Sequence, residues 1–464
     1  MQDVLDYLDE QKNAAIDRLR QWLSIPSIST DPAYVGEMSR AADWVQQCLV
    51  SSGLDAEVLP TGGHPVVLGY SQEDASLPDA PTVLFYGHYD VQPPDPVDLW
   101  THAPFAPTIR DGAIYARGAC DDKGQVSSFL EAVRAWSRSG QKLPCRIKIL
   151  IEGEEESGSV HLPQFIEQYR QQLSADVVLI SDTNMWVGRG GIPIPAITYA
   201  LRGILYFDVK LHGPNRDLHS GMYGGTLANP ATHLVQVLGG LFDNDHRLVI
   251  PGFYDDVMEL NTEETAQWHD LGFDEPAYLS AVGVDKPFGE YGYDTLQRRW
   301  ARPSCDINGL YGGYGGEGAK TIIPSFAAAK VSFRLAANQS AMKVAEAFEA
   351  WIGSQKVHGC RWELTFLGAA DPVLVPIDSP WIAAAGRAIQ SASGVQPAMV
   401  REGASIPVVS TFKTLLGLDT LLVGYGLDSD QIHAPDEHFG LDRFHLGCRS
   451  HAHLLYELGR IVPR

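Results

Sequence analysis

The side chains in this sequence best suited to chemistry are carboxylates and histidines that follow apolar runs. Residues 81–93 read PTVLFYGHYDVQP, and the run through Val83, Leu84 and Phe85 stops at His88 and Asp90, with Gly87 expected to let the backbone turn there. Residues two apart in a strand share a face, so the Asp90 carboxylate can stand behind the His88 imidazole and orient it for a metal ion. Taken alone, such a pair more often makes ordinary hydrogen bonds. Repetition of the pattern changes that balance. RIKILI, residues 146–151, runs into Glu154, Glu155 and Glu156, and DVVLISD, residues 176–182, ends on Asp182. Three adjacent carboxylates repel one another unless water or a cation offsets their charge. In ARGACDDKGQ, residues 116–125, Asp121 and Asp122 precede an expected helix over 126–136, where capping free N–H groups explains them equally well. His433 sits in the polar loop GLDSDQIHAPDEHFG.

These residues need a scaffold that gathers them. The apolar runs read as buried strands, and in open α/β sheets ligands bind beyond the carboxyl ends of the strands. Parallel neighbouring strands would therefore bring His88, Glu155, Glu156 and Asp182 to one crevice. Residues 36–53 and 381–391 read as helices, while 407–412 and 420–425 read as strands. Val4, Leu8, Ala15, Leu19 and Trp22 mark one side of a helix that Pro26 helps to end. From residue 203 the pattern changes: Leu205, Phe207, Val209 and Leu211 alternate, as do Val331, Phe333 and Leu335, then Trp362, Leu364 and Phe366. With helices over 229–241 and 340–352, this predicts half-exposed strands against helices, an inserted α+β unit. The expected organisation is an α/β catalytic domain, a mostly parallel sheet flanked by helices, in two parts over 1–200 and 371–464, interrupted by the insertion at 201–370.

Length supports more than one domain, because 464 residues exceed what one compact core usually holds. The formal charge of −22 argues against nucleic acid or an anionic membrane as the main partner. Six cysteines without C-x-x-C spacing fit reduced thiols in a cytoplasm better than a disulfide framework or a zinc finger. The N-terminal stretch lacks the basic start and apolar core of a secretory signal, and no apolar run reaches the roughly 20 residues needed to span a bilayer. NGLYGGYGGEG, residues 308–318, imitates a phosphate loop, but Ala319 separates Gly318 from Lys320 and spoils the spacing. His102, His161, His233 and His451 have no ligand-like company.

YGHYDVQP, ARGACDDKG, EGEEESGS, ISD, DLHSG, REGASIP and IHAPDE, in that order, resemble the M20 metallopeptidases, most closely the branch of cytosolic nonspecific dipeptidases and carnosinases. The resemblance implies two divalent metal ions per subunit, Zn²⁺ or Mn²⁺ with Co²⁺ as a substitute. His88 and Asp182 would bind one ion, Glu156 and His433 the other, and Asp121 would bridge both. Glu155 matches the general base and Asp90 the aspartate that supports His88. His219 matches a histidine delivered across a homodimer to the partner's active site, which makes the insertion a lid and dimerisation domain. Arg334 matches a residue that binds the substrate carboxylate, and Thr321 and Ser405 match further substrate contacts. A mixed His, Asp and Glu set suits these ions, and two metals can hold a bridging water as hydroxide. The implied activity is hydrolysis of dipeptides or short peptides with a free C-terminus. Deacylation of N-acyl amino acids on the same scaffold and metal-dependent binding without catalysis are the alternatives. Two positions depart from the family pattern: Glu154, where a small or aliphatic residue is usual and where the acid either alters metal preference or points to solvent, and Cys120, where Thr or Ser is common.

Overall fold

The structure is a computed structural model, and it describes residues 1–462. The described residues divide into two compact units, one formed by 1–199, 375–400 and 411–462, the other by 200–374 and 401–410.

The first unit is built on a twisted sheet whose strands run, in order, Asp55–Leu59, Val66–Tyr70, Arg146–Glu152, Thr82–His88, Val177–Ile180, Thr420–Leu422 and Ala196–Leu201. The four strands from Arg146–Glu152 to Thr420–Leu422 are mutually parallel. Their apolar residues are buried on both faces, as parallel strands covered by helices require. His88 lies opposite Glu152, and Tyr86 opposite Ile180, so the residues that follow each strand emerge at the same sheet edge.

Helix Lys123–Arg138 is buried along nearly its whole length and packs between the sheet and helix Leu441–Leu458. The Phe85 and Phe129 rings stack at 3.8 Å. Gly87 is needed for this approach, not for a turn: it lies within the strand, and a Cβ there would sit 2.4 Å from Val126. Gly124 meets a different neighbour: a Cβ there would fall 1.9 Å from the Ala119 carbonyl oxygen, so glycine lets the preceding loop fold back on the first turn of the helix.

Two local expectations are corrected. Residues 407–412 lie in helix Pro407–Leu416, not a strand. Val408, Val409 and Phe412, buried at helical spacing, satisfy the core as well as an alternating strand would, and proline is favoured in a first helical turn. The N-terminal helix is two helices, Gln2–Glu10 and Lys12–Leu23, broken at Gln11, although Val4, Leu8, Ala15, Leu19 and Trp22 are all buried.

The second unit holds a four-stranded antiparallel sheet in the order Ser304–Gly312, Phe326–Leu335, Gly203–His212 and Arg361–Ala370. Alternation along Gly203–His212 puts Leu205, Phe207, Val209 and Leu211 on the buried face, where helices Pro230–Gly239 and Ala341–Ser354 cover it. Phe207 is fully buried, with its ring centroid 5.3 Å from Phe348 and 5.7 Å from Phe366. Truncating such a side chain removes burial and leaves a cavity, so Phe207→Ala should destabilise this unit by about 3–5 kcal/mol. Urea unfolding followed by tryptophan fluorescence checks this, and a loss below about 1 kcal/mol would contradict the packing described.

Candidate metal centre

Beyond the carboxyl ends of the parallel strands, five side chains of the first unit converge. His88 closes its strand fully buried, and its Nε2 lies 3.1 Å from Asp121 Oδ1 and 3.9 Å from Asp182 Oδ2. His433 Nε2 lies 2.9 Å from Asp121 Oδ2 and 3.3 Å from Glu156 Oε2. Two groups, His88 with Asp121 and Asp182, and Asp121 with Glu156 and His433, each place their ligand atoms within 4.8 Å of one another and share Asp121. His88 Nε2 makes no well-aligned hydrogen bond to the carboxylates near it. A nitrogen aimed among carboxylates without bonding any is what a metal ligand set offers, and its His, Asp and Glu donors suit hard or borderline divalent ions.

Neighbours hold His88 and Glu156 in place. Asp90 is fully buried behind His88: its Oδ1 is 3.4 Å from His88 Nδ1, its carbonyl oxygen is 3.1 Å from the same atom, and its Oδ2 accepts the Glu156 N–H at 3.0 Å. One carboxylate therefore orients a member of each group. Gln92 donates to Glu156 Oε2 at 2.8 Å.

The loop bearing Asp121 is fastened by Glu437, a residue that no sequence pattern singles out. This buried carboxylate accepts from the backbone N–H groups of Gly118, Cys120 and Asp121 at 2.9, 2.9 and 3.1 Å and from Arg117 Nη1 at 2.7 Å. Glu437 lies four residues beyond His433 and so ties both loops together. Lys123, also buried, donates from Nζ to the Ile25 carbonyl at 2.8 Å, fixing the start of the helix after Asp122. Asp122 itself makes no side-chain cap, so the capping explanation does not apply to it; its Oδ2 lies 3.4 Å from the His88 N–H. No local signal marks these supports, since their partners lie far away in sequence. Glu154 neither joins the cluster nor points to solvent: it pairs with His161 at 2.9 Å and accepts the His64 N–H at 3.3 Å.

The electrostatics show the strain of gathering these acids. Burial raises the Asp182 carboxyl well above the usual carboxylate range, and Asp121 adds to the effect. Burial likewise pushes Glu155 up to about 7; His88 opposes this, while Asp121, Glu156 and Asp90 add to it. Burial pushes Asp121 upward too, but the imidazoles of His433 and His88, 2.9 and 3.1 Å away, outweigh it and hold that carboxyl far below its ordinary value. His433 is raised to about 10 by its hydrogen bonds to Asp121 and Glu156.

The other sequence-derived candidates lie in the second unit as two pairs. His219 caps a short helical turn, its Nδ1 accepting the Gly221 N–H at 3.0 Å; it sits across a two-residue ladder from Ile322, next to Thr321. Arg334 Nη1 donates to Ser405 Oγ at 2.9 Å.

Comparison with known proteins places this geometry. The family model for peptidase family M20/M25/M40 matches residues 84–457. The chain belongs to the M20 peptidase family. It is 32% identical to a human Beta-Ala-His dipeptidase, covering 99% of this chain and 93% of that protein. It is also 32% identical to a Cys-Gly metallodipeptidase of Candida albicans, covering 99% and 98%. Among solved structures, an M20 family metallo-carboxypeptidase from Sulfolobus solfataricus superposes with a TM-score of 0.83 at 31% identity, over 96% of this chain and 99% of that one. This M20 peptidase thus carries a His, Asp and Glu cluster suited to the divalent metals that its family binds. Among the described residues no helix is long and apolar enough to cross a membrane.

Without cations, the cluster should favour bound protons. Glu155 and His433 both have folded values above their ordinary 4.5 and 6.5. Such groups add stability below the ordinary value and lose it as pH rises through the folded one. Chelation should therefore lower the melting temperature more at pH 8.5 than at pH 6, with cation-loaded protein as reference. Calorimetry at both pH values tests this; a chelation penalty that shrinks as pH rises would contradict the assigned electrostatics.

Proposed function

We propose that this chain hydrolyses the peptide bond of dipeptides or short peptides that carry a free C-terminal carboxylate. The observation that carries this reading is the pair of ligand groups sharing Asp121, in a chain matched over nearly its whole length to proteins named as dipeptidases. His88 and Asp182 would hold one divalent ion, Glu156 and His433 the other, and Asp121 both. Zn²⁺ or Mn²⁺ so held polarises a carbonyl and lowers the pKa of water.

Glu155 is the base in this reading. It stands beside the ligands without belonging to either group, so its carboxylate is free to take a proton from the attacking water and return it to the departing amine nitrogen. Proton transfer needs a group whose affinity lies near the working pH; bound cations would draw Glu155 down from its cation-free value. Asp90 positions His88 and Glu156. Arg334, held by Ser405, receives the substrate carboxylate in a charge-assisted hydrogen bond, with Thr321 a further contact. His219, exposed on its turn, reaches the partner's active site in a homodimer and stabilises the developing oxyanion. A cytoplasmic location accords with six unpaired cysteines, five of them buried.

Replacing the base should separate chemistry from binding. We expect Glu155→Ala to lose roughly 10²–10⁴ in kcat while metal analysis still finds both ions; near-normal turnover would remove Glu155 from this role. The choice of substrate class rests on the free amine. N-acetylation of a good dipeptide substrate should reduce kcat/KM sharply, whereas a higher rate on the acetylated compound would favour the deacylase alternative. For the dimer, mixed Glu155→Ala and His219→Ala subunits should recover part of the activity that each parent lacks. Verified mixed dimers without recovery would leave His219 acting within its own subunit or not at all.

A further inference from the structure

The second unit contains a cleft of about 910 Å³ that the hydrolytic reading does not use. That volume lies within the range of small-molecule sites, roughly 300–1,000 Å³. Phe242, Tyr254, Tyr278 and Phe288 line it, and Phe288 remains 79% exposed with its ring centroid 4.2 Å from that of His246. Large rings kept in contact with solvent are costly and are common in sites that bury the apolar body of a ligand.

The charged part of the lining is cationic in a chain of net charge −22. Arg298, Arg299, Lys286 and Arg202 contribute to it. Two of the lining acids are already engaged. Arg302 donates to both oxygens of Glu290 at 2.8 Å, and Asp243 accepts the backbone N–H groups of Asp245 and Arg247. Asp306 is the remaining lining acid. Arg298 spends its Nε on the Glu290 carbonyl at 2.9 Å, and among the described residues neither Arg298 nor Lys286 has a carboxylate partner. Free guanidinium and ammonium donors beside rings recognise a carboxylate carried on an apolar or aromatic body.

Two other cations of the lining, Arg202 and Arg299, hold the loop that carries Ser405. Arg202 donates from Nε to the Gly403 carbonyl at 2.9 Å, and its own carbonyl accepts the Ser405 hydroxyl at 2.5 Å. Arg299 lies 3.4 Å from Glu402 Oε1, an oxygen that also accepts the Gly403 N–H at 2.6 Å. Gly403 packs so closely on the Arg299 backbone that a Cβ would meet its carbonyl oxygen at 2.9 Å. An anion that draws Arg299 away from Glu402 would loosen this loop and, through Ser405, the bond to Arg334.

We propose that this cleft binds a small organic anion, an aromatic or branched apolar body bearing a carboxylate, and that its occupancy weakens the Arg334 and Ser405 receptor for the substrate carboxylate. The second half rests on the proposed function of those two residues; the first half does not.

The test uses the metal-loaded full chain and two probes of the same shape, 1-naphthaleneacetate and its neutral amide, titrated by calorimetry. The acid should bind roughly tenfold more tightly than the amide. Lys286→Glu and Arg298→Gln should each remove most of that difference, while Arg334→Ala leaves it intact. Lys286 is exposed, so its variant is not expected to disturb folding. Equal binding of acid and amide, indifference to both cleft variants, or loss of binding in Arg334→Ala would overturn the site. At saturating 1-naphthaleneacetate the KM for a dipeptide should rise roughly threefold with kcat unchanged, and Lys286→Glu should abolish the effect. An unchanged KM would overturn the coupling. If Arg334→Ala itself fails to raise KM, the carboxylate receptor is misassigned while the cleft's own binding result stands.

Discussion

Mutual repulsion among buried carboxylates is the constraint on which the first unit depends. Asp90, Asp122 and Glu152 are almost wholly buried, and Asp121, Glu155, Glu156 and Asp182 crowd the same sheet edge. Burial alone raises the cost of ionising such groups, and each ionised neighbour raises it further. Without cations the cluster is partly relieved by charge on His88 and His433, whose proton affinities are raised accordingly. Divalent ions relieve it more fully, and the ligand groups shared through Asp121 are where they would do so.

Everything around the cluster keeps these repelling groups in place. Three of the four parallel strands carry His88, the Glu155 turn and Asp182 to one edge. Gly87 lets the helix after Asp122 approach that edge closely, and Gly124 lets the Asp121 loop fold against the start of that helix. Asp90 joins His88 to Glu156, and Glu437 joins the Asp121 loop to the segment that carries His433. Removing one of these carboxylates would free a ligand's backbone as well as its side chain. Partners that orient ligands typically matter to metal affinity nearly as much as the ligands do.

His88 and Asp182 were legible because each ends an apolar run, and period-two alternation was enough to separate the second unit's strands from the parallel ones. Asp121 was not legible alone, since an aspartate before a helix is ambiguous; order and resemblance supplied its role. Glu437 escaped because its partners, Arg117 and the backbone of 118–121, lie over 300 residues away. Helix Pro407–Leu416 reads as a strand in the sequence because Val408 and Val409 favour strands locally, while tertiary packing decides. The cleft beside Phe288 had no sequence signature: its rings and cations are scattered through an irregular stretch and meet only in three dimensions.

Anomalous diffraction from Zn²⁺-loaded crystals, collected at the metal edge, bears most directly on the shared-aspartate centre. We expect two ions per chain at about 2.0–2.2 Å from their ligand atoms, one on His88, Asp121 and Asp182, the other on Asp121, Glu156 and His433. A single ion, or two ions without Asp121 between them, would contradict the centre on which the proposed hydrolysis depends.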